Sequence, residues 1–305
     1  MELSQVKRPW EWMVKPTAQK QWIEGKGILL WLAMFFGFGA GLYLVAMLFN
    51  SLWGMFIGWL VVIFGFGGFH LAFLGRPLRA WRMVMKPQTS WISRGLIFAA
   101  VFIGAAAIQM ALMYWQVAAL ALSAAIVQAV FGVIAGIFAF LAAIYTGFVM
   151  NYVRAIPFWN NALLPVLVVC SEVLGGFGIA LAIGLTIDPV LGASIAIIEL
   201  GIRILLTVVA ILIAIYMYSA ANSPIGGKEA VMALIRGPKN FSIPFWVFLV
   251  VIGIIIPLVI AWYPLGEAVA HPLLFTAIVC EFIGGLSLRY SLLRGGVYAP
   301  LIPIK

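Results

Sequence analysis

Between residues 27 and 293 the chain alternates long apolar runs with short polar breaks. A helix crossing about 30 Å of hydrocarbon needs about 20 apolar residues. On that criterion the pattern predicts eight spans, at about 27–49, 52–73, 95–115, 124–150, 162–184, 190–218, 244–263 and 272–293. The alternating segments of about ten residues that mark a membrane β-barrel are missing from the pattern. The expected fold class is therefore all-α integral membrane. Residues 1–26 read as an N-terminal interfacial segment, 27–293 as an eight-helix membrane domain and 294–305 as a C-terminal tail. In the first segment Trp10, Trp12 and Trp22 stand beside Lys7, Arg8, Lys15 and Lys20, as in segments that lie at a membrane interface or against a partner. Its mixed charges and lack of an apolar core predict no cleavable signal peptide.

A short internal similarity refines this map. Span 1 contains "GFGAGLYL" (Gly37–Leu44) and span 5 "GGFGIALA" (Gly175–Ala182). Both run in the same direction and each opens a set of four, so two four-helix bundles are expected. Gly-rich faces that merely allow helices to approach closely remain the alternative.

Composition agrees with the pattern, at 65% hydrophobic and 9% charged residues in a chain of 305. Charge adds orientation. The stretch "FHLAFLGRPLRAWRMVMKPQTSWISRG" holds Arg76, Arg79, Arg82, Lys86 and Arg94 between two apolar runs. Arg154 lies in the fourth loop, Lys228, Arg236 and Lys239 in the sixth, and Arg289, Arg294 and Lys305 are assigned to the C-terminal end. With the N-terminal group, every Lys and Arg except Arg203 then falls on one side. The positive-inside rule places that side, and both termini, in the cytoplasm. The net charge of +9 thus reports topology, and nucleic acid is not an expected partner.

Within the spans, ionisable side chains stand out because each costs about 2.5–3.5 kcal/mol at the bilayer centre. Glu172, Glu199, Arg203 and Glu281 are expected near mid-membrane. Glu199 and Arg203 are four residues apart and can pair on one helix face, as a structural ion pair or as part of a proton route. Glu172 and Glu281 lack a partner in their own helices and are expected uncharged or facing a polar cavity. All four are candidates for proton transfer. Redox centres are restricted by counting. Cys170 and Cys280 are too few for an iron–sulfur cluster, and His70 and His271 lie at opposite ends of their spans, about 30 Å apart, too far to share a haem iron. No metal site, haem or cluster is expected in this chain.

Two passages carry a family resemblance. The first ends span 2 with His70-Leu71, Gly75-Arg76-Pro77, Arg79 and Trp81, followed by Ser90-Trp91 and Ser93-Arg94. The second joins spans 4 and 5 with Tyr145-Thr146-Gly147, Pro157, Asn160-Asn161 and Leu164-Pro165. In these elements the chain resembles the NrfD family, the membrane subunits of polysulfide-reductase-like complexes. It departs where Ala72-Phe73-Leu74 separate His-Leu from Gly-Arg-Pro. The resemblance implies a subunit without redox centres that binds a quinone (menaquinone or ubiquinone). Electrons would pass between that quinone and a ferredoxin-like iron–sulfur subunit, and so to a molybdopterin catalytic subunit, in a prokaryotic inner membrane. Tyr145 matches the tyrosine associated with quinone, and His70 is expected at the same depth. The chain departs again at the start of span 1, where family members can place Asn and His near the quinone and this chain has Trp22, Glu24 and Lys26, so that wall is not carried over from the family. Trp22 and Glu24 stand as further candidate quinone-binding residues. A phenol or imidazole can hydrogen-bond a quinone carbonyl and carry protons while apolar walls hold the ring. The five basic residues of the second loop are expected to dock the electron-transfer subunit.

A secondary transporter or proton channel with duplicated halves is the competing reading. Helices broken at matching midplane positions would favour it, and no such Gly or Pro interruption is matched between the halves. A purely structural anchor would not account for the carboxylates inside the spans.

Overall fold

The computed structural model describes residues 18–116, 122–223, 225–262 and 270–299. Eight helices among them are long and apolar enough to cross a membrane: Gly27–Leu48, Leu52–Phe73, Trp91–Tyr114, Leu122–Asn151, Leu163–Thr186, Ile195–Ala221, Lys239–Trp262 and His271–Arg294. The all-α membrane class is thus the fold. Most of the expected interfacial segment (1–17) and the end of the tail (300–305) lie outside the described residues.

Span ends differ from the apolar runs where local chemistry sets the boundary. Span 3 starts at Trp91 instead of 95 because the Ser90 side chain accepts the Ser93 N–H and caps the helix. Span 6 starts at Ile195 instead of 190. The Asp188 carboxylate caps a separate short turn, Pro189–Gly192, which uses up the intervening residues. Span 7 runs back to Lys239 although Pro244 cannot donate a backbone hydrogen bond. From that proline to Ile255 the helix is wound as a wider π-helix.

Buried side chains form two clusters. Tyr43, Met55, Phe66, Phe102 and Tyr145 belong to one, built by spans 1 to 4. Trp159, Leu181, Leu206, Tyr216 and Leu288 belong to the other, built largely by spans 5 to 8. Span 1 contributes to both, through Tyr43 on one side and Leu42 on the other. It reaches span 5 at almost backbone contact. A Cβ on Gly41 would fall on the backbone carbonyl of Glu172, and one on Gly176 would fall on the backbone of Gly41. The two glycine-rich octets therefore meet across this crossing.

Polar ties hold the helix ends on both faces. At the end opposite the basic loops, Ser51 caps span 2 by accepting from the Gly54 N–H at 2.9 Å, and its hydroxyl donates to the buried Asp188 carboxylate. At the basic end Trp159 Nε1 donates to the Leu292 carbonyl at 2.6 Å and Tyr216 to the Phe158 carbonyl at 2.5 Å. Span 1 is itself interrupted at Phe36–Gly37, between helical segments Gly27–Phe35 and Phe38–Leu48.

Candidate functional site

The first polar constellation sits at the basic end of spans 2, 3 and 4. Span 2 winds as a π-helix over Val61–Gly67, a local widening that recurs at functional sites. One turn later His70 Nδ1 lies 2.7 Å from the Phe66 carbonyl. A carbonyl can only accept, so Nδ1 carries the hydrogen and Nε2 of the neutral ring is left as an acceptor. Tyr145 of span 4 is buried, with its ring centre 6.5 Å from that of His70 and 6.2 Å from that of Phe66. Among the described residues neither His70 Nε2 nor the Tyr145 hydroxyl has a hydrogen-bond partner. Span 3 makes room for the tyrosine with Gly95, where a Cβ would overlap the Tyr145 ring.

The structure does not bring Trp22 and Glu24 into this group. Trp22 packs on Trp159 at 5.0 Å, in the cluster of the second half. The Glu24 carboxylate pairs with Arg294 at 2.8 Å. The chain entering span 1 is tied to the end of span 8, where Gln19 Nε2 donates to the Leu293 carbonyl at 2.6 Å. That anchoring sets both residues against the second half, with Trp159 and Arg294 as their partners.

The ionisable residues of the spans also differ from expectation. Glu172, about nine residues or roughly 14 Å into span 5, is mid-span and only 1% exposed. It is paired: Arg289 Nη2 lies 2.8 Å from its Oε1. Arg289, assigned above to the C-terminal end, is in fact inside span 8 and 4% exposed, so Arg203 is not the sole basic residue within a span. Helical side chains lean toward the N-terminus of their helix. Spans 5 and 8 run in opposite directions, so Glu172 leans toward the basic face and Arg289 away from it, and the two meet. Gly37, at the break in span 1, supplies the space; a Cβ there would lie 2.6 Å from Glu172 Oε1.

Glu199 and Arg203 do pair, at 3.7 Å. They lie nearer the face opposite the basic loops than the middle, because span 6 begins only about four residues before Glu199. Glu281 is mid-span, 7% exposed, and its Oε1 has no partner. It lines two small cavities, one shared with Glu199 and Arg203 and the other with Arg289.

The basic stretch divides by role. Arg94 is turned onto its own loop, with Nε donating to the Pro87 carbonyl at 2.7 Å, Nη2 to the Gln88 carbonyl at 2.8 Å, and its guanidinium 4.6 Å from the Trp91 ring centre. Trp91 in turn stacks on Phe148 of span 4 at 4.6 Å. Arg76, Arg79, Arg82 and Lys86 are exposed, beside exposed Leu78, Trp81 and Met85. Arg94 therefore shapes the loop, and the other four present charge to whatever lies beyond it.

Comparison with known proteins gives a family. A stretch of 164 residues, 52% of this chain, is 26% identical to Protein NrfD of Escherichia coli (strain K12). The chain spans about half the length of that relative (50%). The family model described as "Polysulphide reductase, NrfD" matches residues 22–300, which include both motif blocks, the His70–Tyr145 group and every ionisable residue of the spans. The chain belongs to the polysulphide reductase, NrfD family.

Proposed function

We propose that this chain is the quinone-reactive membrane anchor of a respiratory oxidoreductase, with a quinone oxygen bound by His70 and Tyr145. One observation carries the reading: a buried phenol and an imidazole with a free Nε2 face one another at the basic end of the first bundle. Their donor set fits a quinone, whose two oxygens accept hydrogen bonds and, when reduced, donate them. The quinone supplies two-electron chemistry coupled to protons. Tyr145 would donate to a quinone oxygen, His70 Nε2 would accept from that oxygen once it is reduced to a hydroxyl, and Phe66 would form an apolar wall.

The partners in this reading are a ferredoxin-like iron–sulfur subunit and, beyond it, a molybdopterin catalytic subunit. Arg76, Arg79, Arg82 and Lys86 form the docking platform, with Trp81 and Leu78 as its apolar component. Glu199 and Glu281 serve proton movement, while Arg203 pairs with Glu199 and Glu172 is held by Arg289. Supporting a transporter instead is the break of span 1 at Phe36–Gly37, but span 5 is continuous over Leu163–Thr186, so the halves do not share it.

Tyr145→Phe keeps the ring and removes the hydroxyl. A hydrogen bond contributes about 0.5–1.5 kcal/mol net, so quinone-analogue binding in the assembled complex should weaken several-fold. Quinol-linked turnover should fall at least as much. Unchanged binding and turnover in both Tyr145→Phe and His70→Ala would move the pocket elsewhere. For orientation, reporter fusions at Lys86 should be active only in the cytoplasm, because basic loops are retained there. Activity on the other side would reverse the assignment and separate the platform from cytoplasmic partners.

A further inference from the structure

We propose that Glu281 is a proton-exchange carboxyl at the middle of span 8, fed by water from the face opposite the basic loops and closed off from the basic face by the Arg289–Glu172 pair. The inference does not depend on the quinone reading, since it concerns the second half of the molecule and needs no bound ring.

Geometry supplies the first support. Glu281 is 93% buried, being 7% exposed, and one of its carboxyl oxygens has no partner. Space for the group is built in, because a Cβ on Gly178 of span 5 would lie 3.1 Å from Glu281 Oε2. Two cavities meet at this side chain. One, of about 30 Å³, extends toward Glu199 and Arg203 between spans 5, 6, 7 and 8. The other, of about 40 Å³, extends toward Arg289 between spans 1, 5, 6, 7 and 8. Cavities of this size have room for water.

Charge around Glu281 gives the direction. Span 6 contributes Glu199 and Arg203, span 8 itself contributes Arg289, and span 5 adds Glu172, paired with Arg289, and the neutral hydroxyl of Ser171. Spans 1 and 7 face it with apolar residues such as Phe35, Phe38, Gly253 and Pro257. The Glu281 side chain leans toward the N-terminus of span 8, and hence toward the face opposite the basic loops. Glu199 and Arg203 are partly exposed at 16% and 23% of their side-chain surface, which makes them the mouth of the route. Toward the basic face the polar path ends at Arg289 and Glu172, buried and in contact at 2.8 Å. A guanidinium does not release its proton in a protein, so it cannot pass one on. Exchange runs from the opposite face to Glu281: the acid gives its proton to a cavity water, and the resulting carboxylate takes one back from the next.

Infrared spectroscopy of the full chain in lipid vesicles tests this. Glu281→Gln identifies the carbonyl stretch of the Glu281 acid by its loss, and transfer to D₂O then measures how fast that proton exchanges. Ala277→Phe, or the milder Ala277→Leu if the first does not fold, fills the cavity leading to Glu199. Exchange should slow at least about tenfold when that water is displaced. Gly285→Val fills the other cavity, where a Cβ meets only ordinary contacts with Phe35 at 3.5 Å and Arg289 at 3.7 Å. Exchange there should stay within about twofold of the unaltered chain. Absence of any carbonyl band lost in Glu281→Gln overturns the proposal. So does exchange that is unchanged in the Ala277 variant, or slowed more by Gly285→Val.

Discussion

Arg289→Leu should destabilise the chain by about 3–5 kcal/mol, the cost of leaving a buried charge without its partner. The reason is local. Glu172 Oε1 meets the Arg289 guanidinium at 2.8 Å, whereas Oε2 has no hydrogen-bond partner among the described residues. Removing the guanidinium leaves the carboxyl in a site only 1% exposed, against the backbone of Gly37. Arg294→Leu is the matched control. It breaks a pair of the same 2.8 Å length, but the Glu24 side chain is 46% exposed and water can solvate it, so the cost is about 0–1 kcal/mol. Thermal unfolding of the purified chain in detergent compares the two directly. Replacing Glu172 and Arg289 together by methionines should recover most of the loss, because two apolar side chains of similar volume need no partner. Equal unfolding temperatures for Arg289→Leu and Arg294→Leu would show that the buried pair contributes no more than the exposed one.

Arg289 also shows where legibility in the sequence ends. Its class of residue and its closeness to the tail made it look like one more topogenic charge. Its role follows from Glu172, more than a hundred residues away and on another helix, and no spacing rule links them. The spans themselves were legible because about 20 apolar residues in a row answer to membrane thickness, a requirement local to each run. Their ends were less so. Ser90 and Asp188 moved two boundaries by capping helices, a signal present in the residue types but masked by the apolar flanks. The meeting of His70 and Tyr145 was half legible: depth could be counted along each helix, but azimuth could not. The π-wound turn of span 2 changes which way His70 points, and nothing in "VVIFGFG" announces it. Trp22 and Glu24 show the converse. Sequence position set them beside span 1, while the ties from Gln19 to Leu293 and from Glu24 to Arg294 fastened them to span 8.

Gly95→Ala should lower quinol-linked turnover in the assembled complex by about a hundredfold, more than Tyr145→Phe, although Gly95 itself offers the quinone no functional group. A displacement of about 1 Å in a positioned group can cost this much when reacting atoms must be held in line. Gly95 lies buried against Tyr145, and the added methyl would overlap the phenol ring. The ring cannot simply swing aside, because Phe66 and His70 occupy the neighbouring space on span 2, at 6.2 Å and 6.5 Å between ring centres. Either Tyr145 takes another rotamer or spans 3 and 4 separate, and both move the hydroxyl. Tyr145→Phe, by contrast, leaves every apolar contact in place and removes a single hydrogen bond. Two further measurements distinguish lost positioning from lost folding. Thermal unfolding should show Gly95→Ala still cooperative, and Gly95→Ala with Tyr145→Leu should recover stability by emptying the crowded space. Turnover in that double variant should remain low, since the restored packing carries no hydroxyl to meet the quinone oxygen. Recovery of turnover along with stability would mean that Gly95 and Tyr145 only hold spans 3 and 4 together, and the chemistry would then have to lie with His70 or outside this group.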